Sequence, residues 1–121
     1  MIKESNLVKN IKPFVAAKKI SKSYGNNNSV VVLNNISIDL FRGEFLSISG
    51  PSGCGKTTLL MILGCLMNPD NGEVKIDNFN PYKKKSSDRA KVRSEFIGFI
   101  FQDFKLIPYL SVMENIRCSA L

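Results

Sequence analysis

The stretch on which the fold turns is Gly50-Pro51-Ser52-Gly53-Cys54-Gly55-Lys56-Thr57-Thr58. It matches the pattern G-x-x-x-x-G-K-[ST] at every fixed position. Chemistry explains the residue types. Glycines at 50, 53 and 55 let the backbone take conformations closed to residues with a Cβ, so that successive N–H groups converge on phosphate oxygens. A helix starting after the loop would add its positive N-terminal end. Lys56 would reach the β- and γ-phosphates of a nucleotide, and the Thr57 hydroxyl would complete the coordination of Mg²⁺. A plain glycine-rich turn is the bland alternative. It does not account for the apolar stretch Glu44–Ser49 before the loop and the helical pattern after it, which is the context this motif requires.

Outward from the loop, FVAAKKI (Phe14–Ile20), SVVVLNN (Ser29–Asn35), ISIDLF (Ile36–Phe41), EFLSIS (Glu44–Ser49) and EVKID are short β-branched or aromatic runs separated by turn residues, and they predict strands. ISIDLF alternates apolar and polar residues, as an antiparallel strand covered on one face does. Thr57–Met67 is apolar nearly all round and stops at Asn68-Pro69, which predicts a buried helix. The loop Asn80–Ser87 leads to a short helix, DRAKVRSEF, and then to a strand, IGFIFQ (Ile97–Gln102). Ser111-Val112-Met113-Glu114 is a capping-box pattern that starts a helix near Ser111.

The bulk properties set limits. With 121 residues and 44% hydrophobic content, the chain suits one compact domain or part of one. Its longest apolar run, Leu59–Met67, is far shorter than the ~20 residues a membrane-spanning helix needs. The opening MIKESNLVKNIKP lacks the apolar core of a secretory signal, so the expected location is the cytoplasm. Seventeen basic against ten acidic residues give a net charge of +7, which alone does not choose among nucleic acid, anionic membrane and a small anion. The run Lys83-Lys84-Lys85 has no interleaved aromatics and reads as a solvated loop. Cys54, Cys65 and Cys118 are odd in number without a CxxC spacing, and the chain has no His, so neither a zinc site nor a disulfide framework is indicated.

The phosphate loop by itself leaves kinases, GTPases and transport ATPases open. Four segments in unbroken order narrow it: ISKSYG, then VVVLNNISIDLFRGEFLSISGPSGCGKTTLL, then NPDNGEVKID, then IGFIFQDFKLIPYLSVMENI. Over about Phe14 to Ile116 the chain resembles the ATP-binding subunit of an ABC transporter. Phe101-Gln102 before Leu-Ile-Pro, with Arg93 upstream, is most similar to the subgroup whose permeases export lipoproteins, macrolides or antimicrobial peptides. The resemblance implies an α/β fold, a P-loop NTPase core beside an antiparallel β subdomain, truncated at the start of the helical subdomain. It implies that Tyr24 stacks on adenine, and that Gln102 contacts Mg²⁺ and the attacking water. The implied nucleotide-binding set is Tyr24, Gly50, Pro51, Ser52, Gly53, Cys54, Gly55, Lys56, Thr57 and Thr58, with Lys56 and Gln102 catalytic and Thr57 and Gln102 on the metal. ATP and Mg²⁺ are the implied cofactors. An integral-membrane permease and a second nucleotide-binding subunit are the implied partners, at the cytoplasmic face of the membrane and without nucleic acid.

The chain departs from the family pattern in three ways. It has no apolar strand ending in Asp-Glu, its last glycine is Gly98, where the signature loop needs later ones, and it lacks the switch histidine. The expected organisation is a polar lead-in over 1–13 and a partial nucleotide-binding domain over 14–121. Weak Mg-ATP binding with negligible turnover is the expected behaviour, because phosphoryl transfer depends on positioned charge. The alternatives are a non-catalytic nucleotide-binding module and a nucleic-acid-acting protein of the same ATPase type without a permease.

Overall fold

The computed structural model describes residues 12–25, 29–83 and 85–119. Most of the polar lead-in, residues 1–11, and part of the Asn-rich turn, residues 26–28, lie outside the described residues.

Three strands form one antiparallel sheet in the order β2-β1-β3, with β1 (Val15–Tyr24) between β2 (Val30–Leu40) and β3 (Asn71–Ile76). The runs Ser29–Asn35 and Ile36–Phe41, expected as separate strands divided by an Asn pair, are one continuous strand, β2. Asn35 takes a left-handed φ of 56° inside it and makes a bulge instead of a turn. Serine hydroxyls replace the interrupted ladder bonds. Asn35 N–H donates to Ser21 Oγ, and Lys19 N–H, where β1 has its own irregularity, donates to Ser37 Oγ, each at 3.0 Å.

One face of the sheet carries Ala17, Ile20, Leu33, Val74 and Ile76. These pack with Leu59 and Ile62 of helix α1 (Lys56–Leu63), with Cys65 in the turn after it, and with Val92 of helix α2 (Ser86–Phe96). Burial of this set is the main source of stability, at roughly 25 cal/mol per Å² of apolar surface removed from water. Helix α1 is shorter than Thr57–Met67 and is covered on one side only: Leu59 and Ile62 are buried, while Leu60 remains about half exposed. Helix α2 docks on the start of β1, where Phe96 meets Phe14 edge to face at 5.9 Å.

The expected strands Glu44–Ser49 and Ile97–Gln102 are not strands here. Their composition favours strand, but a ladder needs a neighbour, and among the described residues neither has one. Phe45 is 91% exposed and Ile100 is 99% exposed. Helix α3 (Val112–Ser119) begins with the expected capping box, Ser111 N–H donating to Glu114 Oε2 at 2.8 Å and Glu114 N–H to Ser111 Oγ at 3.3 Å.

Candidate functional site

The phosphate-loop motif sits between β2 and α1 in space. Gly55 closes it with φ 95°, and a Cβ added there would lie 2.8 Å from the Val32 carbonyl of β2, so this position admits only glycine. The Gly55 carbonyl accepts the first helical bond of α1, from Leu59 N–H at 2.9 Å. Among the described residues no side chain caps the N-terminus of α1, and no acidic residue stands in its first turn. Its first N–H groups are therefore left for an outside acceptor.

Lys56 folds back over the loop. Its Nζ donates to the carbonyls of Gly50 at 2.9 Å and Pro51 at 2.6 Å, and lies 3.5 Å from Cys54 Sγ. The ammonium thus sits where it spans both ends of the loop. Next to this loop lies an open cavity of about 570 Å³. Ser52, Gly53, Gly55, Lys56, Thr57 and Thr58 line it from the loop and helix, Tyr24 and Val32 from the sheet, and Gln102 from the segment after α2. Gly50, Pro51 and Cys54 do not line it; they form the part of the loop on which Lys56 rests. Among the described residues no lining side chain is acidic and Lys56 is the one cation, so the cavity suits a polyanion.

Tyr24, at the end of β1, is fixed by its hydroxyl, which donates to Met67 Sδ at 3.0 Å and lies 3.4 Å from Thr58 Oγ1. Its ring stays partly exposed on the cavity side. Asp70 secures the adjoining strand end, accepting from Lys22 Nζ at 2.6 Å and from Ser23 N–H at 2.7 Å. The hydrogen bond from Lys22, then that from Ser23, holds the Asp70 carboxyl below its ordinary range. Val32 and Asp70 carry no signal in the sequence: one is a strand valine, the other an acid in a turn. Cys65 is buried, and burial pushes its thiol up, as befits a core residue. Among the described residues no three His, Cys, Asp or Glu side chains are grouped to hold a metal.

The comparisons fit this arrangement. The family model for the ABC transporter matches residues 33–120. The chain belongs to the ABC transporter family. Its relatives include the ABC transporter ATP-binding protein MJ0796 of Methanocaldococcus jannaschii, 42% identical over 104 residues, 85% of this chain and 44% of that protein. The lipoprotein-releasing system ATP-binding protein LolD 1 of Rhodopirellula baltica is 44% identical over 108 residues, covering 88% and 47% of the two chains. The macrolide export ATP-binding/permease protein MacB of Escherichia coli is 40% identical over 112 residues, 92% of this chain and 17% of that longer protein. The dimeric MJ0796 cassette superposes with a TM-score of 0.82 at 40% identity, over 87% of this chain and 46% of its own. The same cassette solved with ADP and Pi gives 0.81. This ABC chain spans less than half the length of these ATP-binding relatives. Its fold is that of the ABC nucleotide-binding cassette, with the antiparallel sheet and phosphate-loop helix both present.

Proposed function

We propose that this chain supplies the base- and phosphate-binding part of the ATP-binding subunit of an ABC exporter, and that the nucleotide lies in the cavity between Tyr24 and the phosphate loop. The observation that carries this is convergence: Tyr24, Lys56, Thr57 and Gln102, separated by up to 78 positions in sequence, line one cavity at the uncapped end of α1. The exposed Tyr24 ring offers adenine a flat stacking surface. The loop N–H groups and Lys56 receive the phosphates, and the ammonium leaves the Gly50 and Pro51 carbonyls as it does so. Neutral oxygens suit a cation that arrives with its phosphates, so Thr57 and Gln102 would hold Mg²⁺. Bound there, the ion would offset phosphate charge.

Permease engagement and pairing with a second nucleotide-binding subunit belong to the same proposal. The exposed side chains of Phe104, Leu106 and Tyr109, just after Gln102, support a protein-contacting role for that segment. Arg42, Lys75, Lys83 and Lys105 are paired with Asp77, Glu73 and Asp103 rather than gathered into a basic track, which favours this over a nucleic-acid role.

A second reading, a module that holds nucleotide without turning it over, is favoured by one observation: among the described residues no carboxylate lines the cavity to orient water. Release of phosphate from Mg-ATP by the purified chain separates the two. Turnover lost in Lys56→Ala supports the ATPase; tight binding without turnover supports the holding module. Neither binding nor turnover would refute both.

A further inference from the structure

Helix α1 has no basic residue in its last turn, so the negative end of the helix carries no cation of its own. The end of the helix and the turn that closes it find side-chain partners elsewhere. Arg93 of α2 donates from Nη1 to the Cys65 carbonyl at 2.9 Å. The Tyr82 hydroxyl is shared between the carbonyls of Ile62 and Met67, the latter at 2.9 Å. Tyr82 is held in turn. Its N–H donates to Asn80 Oδ1 at 2.9 Å, and Asn80 Nδ2 donates to Glu73 Oε1 of β3 at 3.1 Å. Contacts therefore run without a break from the sheet, through Asn80 and Tyr82, to the last turn of α1.

Cys65 makes this end demanding. It has a left-handed φ of 59°, a conformation that helices usually assign to glycine at this point. Burial of its side chain in the core and the Arg93 bond to its carbonyl hold it there.

We propose that Arg93 and Tyr82 are positioning residues for the phosphate loop: by binding the Ile62 carbonyl in the last turn of α1 and the Cys65 and Met67 carbonyls of the turn that closes it, they fix the axis of the helix whose first N–H groups face the cavity. This rests on the nucleotide reading above and extends it to residues outside the cavity, since neither lines it. The helix has only eight residues, about 12 Å at 1.5 Å per residue, so a tilt at one end is felt at the other. The phosphates depend on the direction of those N–H groups. The base depends on it less, because Tyr24 is carried on β1, anchored through Ser23 and Asp70, and meets α1 and the turn after it only through its hydroxyl, at Thr58 and Met67.

The test uses the full chain with Arg93→Ala, Arg93→Lys and Tyr82→Phe, comparing Mg-ATP with adenosine by equilibrium dialysis and recording thermal unfolding of each variant. Arg93→Ala should weaken Mg-ATP about tenfold, the scale of a charged hydrogen bond lost at a helix end, and weaken adenosine by clearly less. Arg93→Lys should restore most of the loss, and Tyr82→Phe should show a smaller loss of the same selectivity. A clamp that only stabilises the fold would lower the unfolding temperature while moving both ligands together, or neither, and that result overturns the proposal. If Arg93→Ala fails to fold, the Tyr82→Phe ratio decides it by the same criterion. Wild-type chain that does not bind Mg-ATP would overturn the nucleotide reading and the positioning role together; unchanged selectivity in variants of a binding wild type overturns the positioning role alone.

Discussion

Gly64 gives its side-chain space to Phe99: a Cβ built on Gly64 would lie 1.9 Å from Phe99 Cε2. This glycine has an ordinary φ of −82° at the end of α1, so its requirement is one of room rather than backbone freedom. The contact joins the phosphate-loop helix to the segment that delivers Gln102 to the cavity.

Gly64→Ala should therefore displace Phe99 and destabilise the chain by about 1–3 kcal/mol, the usual cost of overfilling a packed site. Urea unfolding measures this. A shift in the midpoint smaller than that of a surface Gly→Ala control would show that Phe99 moves aside freely.

Tyr24 separates stacking from anchoring. Tyr24→Phe keeps the ring and loses the hydroxyl contacts with Met67 and Thr58, so Mg-ATP binding should persist with a small loss of stability. Tyr24→Ala should weaken Mg-ATP by about 1–3 kcal/mol, the scale of base–aromatic stacking. Equal affinities for the two variants would mean that the ring does not meet the base.

Asp70 predicts a pH dependence with a definite sign. Its folded carboxyl lies below the ordinary value of 3.8, so the stabilisation is complete above that value and is lost as pH falls through the lowered folded value. The stability gap between wild type and Asp70→Asn should be constant from neutral pH down to about 5 and close at more acid pH. A gap that widens on acidification would contradict the Lys22 and Ser23 contacts.

Asn115 ties the turn before α3 to the helix. Its Nδ2 lies within hydrogen-bonding distance of the carbonyls of Ile107, Leu110 and Ser111, and its Oδ1 accepts from Ile107 N–H at 2.8 Å. Asn115→Ala should speed hydrogen exchange at the Ile107 amide while leaving amides of β1 protected. Unchanged exchange at Ile107 would refute the tie.

Much of the proposed nucleotide site is legible in the sequence because phosphate binding demands fixed residue types at fixed spacing, as the Gly50 to Thr57 motif has them. The capping box at Ser111 and Glu114 is legible for the same reason, since its partners lie within one helical turn. Features that depend on distant partners are not. Asn34-Asn35 reads as a turn because Asn favours turns, yet Ser21 of the neighbouring strand supplies a hydroxyl that keeps β2 running through it. EFLSIS and IGFIFQ read as strands from composition, while strand formation depends on a neighbouring backbone. The reach of Arg93 and Tyr82 to α1 follows from how the 80–96 segment lies on that helix, which no local pattern encodes.

The central claim, that the cavity beside the phosphate loop holds Mg-ATP through Lys56, is tested most directly by equilibrium binding of Mg-ATP to the purified chain and to Lys56→Ala. The account predicts saturable binding by the wild type and loss of most of it in Lys56→Ala, with both proteins folded by circular dichroism. Equal binding by the two folded proteins, or none by the folded wild type, would contradict it.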